Sequence, residues 1–173
     1  MSDTLITIIA IFIAAILMFV FPLLTMSERT DDVAQLSVQT ATADFVNTTK
    51  TIGKITDDNY ASFVQVLGAT GNSYDIEMEV KHLDENIGKK SAWTEGSVIG
   101  ENVYYSTYTS QIEEALEDSG VYKLKEGDIF SVSVKNTNTT ISQTLRNFFY
   151  TVSGNNTYQI FAQASGIVTA NGN

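Results

Sequence analysis

The sequence has no cysteine, and in 173 residues it has one proline (Pro22), one histidine (His82) and one tryptophan (Trp93). Without cysteine there are no disulfides, no thiolate zinc sites and no cysteine nucleophile. An exported domain of this composition owes its stability to its own core. The single histidine ends an alternating segment beside Asp84 and Glu85. A Ser-His-Asp triad needs a buried orienting acid and an activated hydroxyl, and no such arrangement is legible. His82 therefore reads as a solvated side chain. No glycine-rich phosphate loop, zinc spacing or EF-hand loop occurs. The acidic pairs Asp57-Asp58, Glu113-Glu114 and Glu117-Asp118 lie at helix caps or solvated faces rather than in a cleft. No catalytic, cofactor-binding or metal-binding residue is expected, and the chain does not read as an enzyme.

Positive charge is also scarce. There are 10 lysines and arginines against 20 acids, a net charge of −10, and charged residues make up only 17%, below the usual quarter. So acidic a chain repels phosphates, which excludes nucleic acid as an expected partner. It also repels anionic headgroups, so the soluble part should stand off a membrane surface.

The low charge has a local cause. Residues 5–24, LITIIAIFIAAILMFVFPLL, carry no charge, and Thr7 is their only polar side chain. At about 1.5 Å per residue this run spans roughly the 30 Å hydrocarbon core. A soluble helix of that length would need a polar stripe. The run, beginning at Leu5, is expected to cross the membrane and to contact lipid along its length. Pro22 removes a backbone donor, so it either kinks the helix or marks the interface; its place near the end favours the interface. The small residues are Ala10, Ala14 and Ala15. Ala10 and Ala14 stand four apart, a weak small-xxx-small pattern for close helix contact; a plain lipid-facing anchor explains them equally well. Residues 1–4 lack lysine and arginine, and residues 25–28 make a poor cleavage site, so an uncleaved anchor is expected rather than a signal peptide. A prepilin leader, with its basic segment, glycine and following glutamate, is not legible either. Arg29 gives the positive-inside rule little to weigh and mildly favours the domain inside.

Beyond the run, residues 28–51 lack glycine and proline. Ala41, Phe45, Thr48 and Ile52 follow three-and-four spacing and predict one helix face, with a break near Pro22 or Ser27. Gly53 fits a stop. Thr56 is a candidate N-cap for a helix with the face Tyr60, Phe63, Val64 and Leu67, ended by Gly68. Tyr74, Ile76, Met78 and Val80 alternate with Asp75, Glu77, Glu79 and Lys81, which predicts a half-buried strand. Residues 83–102 lose the pattern and read as a surface loop, with Trp93 fastening it or forming a contact. Tyr104, Tyr105 and Tyr108 follow, and with Trp93, Tyr104 and Tyr105 are candidate partner contacts. A helix over 110–118 is expected, capped by Ser110 and Glu113 and closed by Gly120. A strand over 128–135 turns its Phe130, Val132 and Val134 one way. Thr140 and Gln143 cap a helix with the face Ile141, Leu145, Phe148 and Phe149. Tyr158, Ile160 and Ala162 start a last strand, which residues 166–168 extend past a bend, and the tail from 170 should be loose. One-sided strands argue for an antiparallel or mixed sheet with helices on one face, hence an α+β fold. The organisation expected is a transmembrane anchor over 1–27, a helical stalk over 28–56 and an extracytoplasmic α+β domain over 57–173.

FVNTTKTIGKIT (45–56), YASFVQVLGATGNSYDIEMEVKH (60–82), GDIFSVSVKNTNTTISQTL (127–145) and ASGIVTANG (164–172) together resemble a TadE-like, pseudopilin-like family of Gram-positive bacteria. LGATGN followed by YDIE is the most specific part. The resemblance implies a single-pass anchor in the cell membrane and a pilin-like domain outside the cell. It also implies association with other pilin-like subunits or with the assembly proteins of a Tad-type pilus, as a structural component without catalytic residues. The alternative is an anchored extracellular module that binds a protein or a wall polymer.

Overall fold

The computed structural model describes residues 2–83, 104–150 and 159–172. The fold is α+β. Its spine is one helix, α1 (Ser2–Ile52). The expected break near Pro22 or Ser27 is absent: α1 runs through both. Pro22 forfeits one backbone bond, but the flanking turns carry no glycine to weaken the helix further. The Thr25 hydroxyl also donates to the Phe21 carbonyl, 3.0 Å away. Residues 28–52, read as a stalk, lie along the head rather than below it, and residues 54–56 are a strand.

The remaining elements are β1 (Lys54–Thr56), α2 (Asp57–Gly68), β2 (Tyr74–Leu83), β3 (Tyr104–Tyr108), α3 (Thr109–Ser119), β4 (Val121–Lys123), β5 (Ile129–Asn136), α4 (Ile141–Tyr150) and β6 (Phe161–Ile167). Among the described residues, four strands form an antiparallel sheet in the order β3-β2-β5-β6, and β1 and β4 form a separate antiparallel ribbon. Opposed residues share a face. Val80, Met78 and Ile76 stand opposite Phe130, Val132 and Val134, and this apolar face meets α1. Glu77 and Glu79 stand opposite Ser133 and Ser131 on the wet face. The alternation expected for β2 and β5 is therefore the alternation observed.

The face by which α1 meets the sheet differs from the expected one. Asp31, Ala34, Val38, Thr42, Phe45, Val46 and Thr49 are buried, whereas Thr48 is exposed and Ala41 half-buried. Small side chains line most of this stripe, which lets the helix lie close to the strands. Thr42 fits because its hydroxyl donates to the Val38 carbonyl at 2.7 Å, meeting its polar need inside its own helix. Phe45 is the large anchor. It stacks on Phe63 of α2, centroids 4.5 Å apart, and meets Phe130 of β5 edge-on at 5.8 Å. Burial of three phenylalanines at one point ties α1, α2 and the sheet together.

The caps hold in part. Thr56 caps α2, and Thr140 and Gln143 cap α4 reciprocally. Helix α3 instead starts at Thr109, with the Gln111 side chain accepting from the Tyr108 N–H rather than the expected Ser110 and Glu113 pair. Gly120 closes it in the left-handed conformation, φ 71°, which favours glycine. Ile141, expected on the buried face of α4, is 71% exposed, while Ser142 and Gln143 are buried. The polar carboxylate under that helix end, described below, decides its orientation. The side chains of Phe148 and Phe149, and Tyr158, lie outside the described residues.

The tail is pinned, not loose. Gly172 N–H donates to Leu124 O, and Leu124 N–H donates to Gly53 O. A Cβ at Gly53 would fall 2.1 Å from the Ala170 carbonyl oxygen, so this crossing needs glycine. The strand β6 also runs unbent to Ile167, and Val168 beyond it is buried.

Candidate functional site

The feature with the clearest physical purpose is α1 itself. Its first half is one apolar cylinder on which, among the described residues, no side chain is buried. Leu5, Ile6, Phe12, Met18 and Phe19 are each more than 60% exposed. In water such a surface is strongly unfavourable, at about 25 cal/mol per Å². This one helix is long and apolar enough to cross a membrane. Ala10 and Ala14 lie one turn apart on one face, Ala15 lies about 100° round from Ala14, and all three are exposed, as is Pro22.

The second half holds the head by three polar clasps that the sequence reading missed. Near the end of the apolar run, Glu28 accepts from both Arg146 Nε (2.9 Å) and a terminal guanidinium nitrogen (2.6 Å) on α4. One turn on, the buried Asp31 accepts from the hydroxyls of Thr140 (2.7 Å) and Ser142 at the start of α4. That places a carboxylate at a helix N-terminus, where the dipole favours it. One turn further, Gln35 pairs with the backbone of Phe161: its amide donates to the carbonyl at 2.6 Å, and its oxygen accepts from the N–H at 2.9 Å. Spaced at 28, 31 and 35, these residues follow one helix face. They fix the head against α1 just above the apolar run. The signal available in the sequence was an acid, Asp31, standing in register with Ala34 and Val38.

His82 is not solvated. Its side chain is 12% exposed. Nδ1 lies 2.8 Å from Asp128 Oδ2, and Nε2 lies 2.9 Å from the Tyr122 hydroxyl. Tyr105, opposite His82 across the β2–β3 pair, packs its ring at 4.9 Å. A carboxylate can only accept, so Nδ1 carries the proton shared with Asp128, which leaves Nε2 facing the phenol. The Lys125 N–H donates to the same Asp128 oxygen at 2.9 Å. Burial pushes the Tyr122 phenol above its ordinary range; a hydrogen bond with Thr107 offsets part of this, and the Asp128 charge adds to it. The phenol is thus held protonated, the reverse of an activated nucleophile. The relay fastens the β1–β4 ribbon to the end of the sheet. Asp84 and Glu85, the acids adjacent to His82 in sequence, lie outside the described residues, as does Trp93. What brings Asp128 and Tyr122 to His82 is strand pairing, which one histidine in a sequence does not announce.

Tyr104 and Tyr105 fall on β3, a strand at the edge of the sheet, with Tyr108 at its end; Tyr105 and Tyr108 are more than half exposed and Tyr104 is 37% exposed. Among the described residues no group of three or more His, Asp or Glu side chains is placed to hold a metal ion. Compared with family models, with curated proteins and with solved structures, the chain matches none of them.

Proposed function

We propose that this chain is a membrane-anchored, pilin-like structural or assembly component of a surface appendage, acting without catalysis. The observation that carries the reading is the division of α1. One unbroken helix presents an unburied apolar half and then a half that is the core of an acidic α+β head. A lipid bilayer and an assembled bundle of such helices are the two surroundings in which the first half is stable. The head repels anionic surfaces through its net charge, which favours a position standing away from the membrane. In this reading the anchor crosses the cell membrane once and the head lies outside the cell. The other members of the assembly are pilin-like subunits or pilus assembly proteins.

The test is the intact mass of the native protein in washed membranes and in material sheared from the cell surface. Protein in the sheared fraction that retains the apolar run supports a filament subunit. Full-length protein confined to membranes sinks the filament role and leaves an accessory role. The second reading, an anchored module that binds a protein or wall polymer, is favoured by the exposed tyrosines of β3, since aromatic side chains dominate binding hot spots. Tyr104→Ser separates the two: loss of partner binding with an unchanged fold and unchanged fractionation selects the binding module.

A further inference from the structure

The two edges of the main sheet are finished differently. At β6, the Gln35 side chain occupies the outward backbone groups of Phe161, and α1 packs against the strand. At the other edge, β3 covers β2 only from Glu79 to Leu83. The chain then turns into α3, and the Thr109 hydroxyl takes one further place, accepting from the Met78 N–H at 2.7 Å and donating to the Met78 carbonyl at 3.3 Å. Backbone groups alternate sides along a strand. Met78 faces the β3 side, so Ile76 and Tyr74 face it too, while Ser73 O is taken on the β5 side by the Thr137 N–H. Among the described residues, the N–H and C=O groups of Tyr74 and Ile76 have no partner on that open side. A groove flanks this stretch on each face. One is lined by Glu77, Glu79 and Tyr108 on the wet face, and the other by Tyr60, Tyr74 and Glu113 on the inner side.

We infer that the uncovered edge of β2 at Tyr74–Ile76 is a docking site for an extended basic peptide segment, which adds a short strand in line with β3. Unpaired backbone groups at an edge supply affinity without regard to sequence, and alternating side-chain surroundings supply the choice. Here the surroundings are distinct. One face of the added strand lies beside the carboxylates of Asp75 and Glu77, both exposed. The other lies beside the half-buried Tyr74, Ile76 and Tyr60, with Glu113 held by the Tyr60 hydroxyl at 2.7 Å. The positive groups on this part of the sheet are Lys135, opposite Asp75, and Lys81, 3.7 Å from Glu79. Among the described residues they leave Glu77 and Glu113 without an opposing cation. The segment that fits alternates lysine or arginine with apolar residues. This site stands whether or not the chain enters a filament.

The experiment uses the full chain in detergent micelles, with amide hydrogen exchange read residue by residue. The probe is a short peptide of alternating lysine and valine, blocked at both ends. The expected result is protection of the Tyr74 and Ile76 amides by at least about tenfold at saturation, lost when the peptide backbone is N-methylated, and affinity weakened about tenfold by Glu77→Lys. Glu77 is exposed, so that variant keeps the fold. Absence of protection at these two amides overturns the proposal. So does equal binding by the N-methylated peptide, or by the same peptide with glutamate in place of lysine. Protection without peptide also overturns it. If that protection rises with protein concentration, a second copy occupies the edge; if it does not, the chain covers its own edge.

Discussion

The two halves of α1 have the same backbone geometry and meet opposite surroundings. Residues 5–24 are apolar apart from Thr7, and none of their side chains is buried among the described residues; residues 28–52 are mixed, and one stripe of them forms part of the core of the head. A helix that is apolar on every side has no direction in which to pack and is satisfied only by an apolar solvent or by other such helices. A helix with one stripe has a direction, and the sheet is built against it. Helix formation alone therefore explains neither half.

The largest effect that would break this division is in the core. Phe130→Ala removes the ring that meets Phe45 and should destabilise the head by about 3–5 kcal/mol, measured by denaturant unfolding, while membrane recovery is unchanged. Ile13→Asp does the reverse. A charge at the centre of the span costs about 2.5–3.5 kcal/mol for insertion, read as loss from the membrane fraction, with the unfolding of the head unaffected. If either variant moves both readouts equally, the two halves are not independent. Asp31→Ala sharpens the boundary between them. It removes the acceptor of Thr140 and Ser142 and should lower head stability by about 1–3 kcal/mol, with increased amide exchange at the start of α4.

The smallest effect belongs to the far end of the head. Tyr122→Phe removes the hydrogen-bond partner of His82 Nε2 and should lower stability by about 1 kcal/mol at neutral pH. The phenol is raised above its ordinary value in the folded state, so the folded protein keeps a proton that the unfolded chain releases near pH 10. Its contribution is complete below that pH and is lost as pH rises toward the raised folded value. Unfolding above pH 10 should show the native protein losing stability more steeply than Tyr122→Phe. Parallel curves would mean that the phenol is not buried as described.

Periodicity reported those parts of the fold in which one residue type repeats. Val80, Met78 and Ile76 alternate over enough residues to define a strand and its inner face, and Thr56, Thr140 and Gln143 act within their own turn. The buried face of α1 was misread, because Ala41, Phe45, Thr48 and Ile52 satisfy helical spacing as well as Ala34, Val38, Thr42 and Phe45 do. Which set is buried depends on the sheet that arrives later in the chain. The polar clasps were invisible for a related reason. Asp31 meets Thr140 and Ser142 across more than a hundred residues, and Gln35 meets Phe161 across 126.

By itself the sequence determined that residues 5–24 need an apolar surrounding, that the rest is acidic and free of cysteine, and that the strands are one-sided. Those properties follow from composition and from spacing within a few residues, where geometry is fixed by the backbone. Only the tertiary structure decided that the helix runs unbroken through Pro22 and that His82 is enclosed by Asp128 and Tyr122. It alone tied the tail to Gly53 and, among the described residues, left the backbone of Tyr74 and Ile76 without a strand beside it. Each of these depends on which distant segment occupies the space beside a residue, and that choice is made by the packing of the whole chain rather than by its neighbours in sequence.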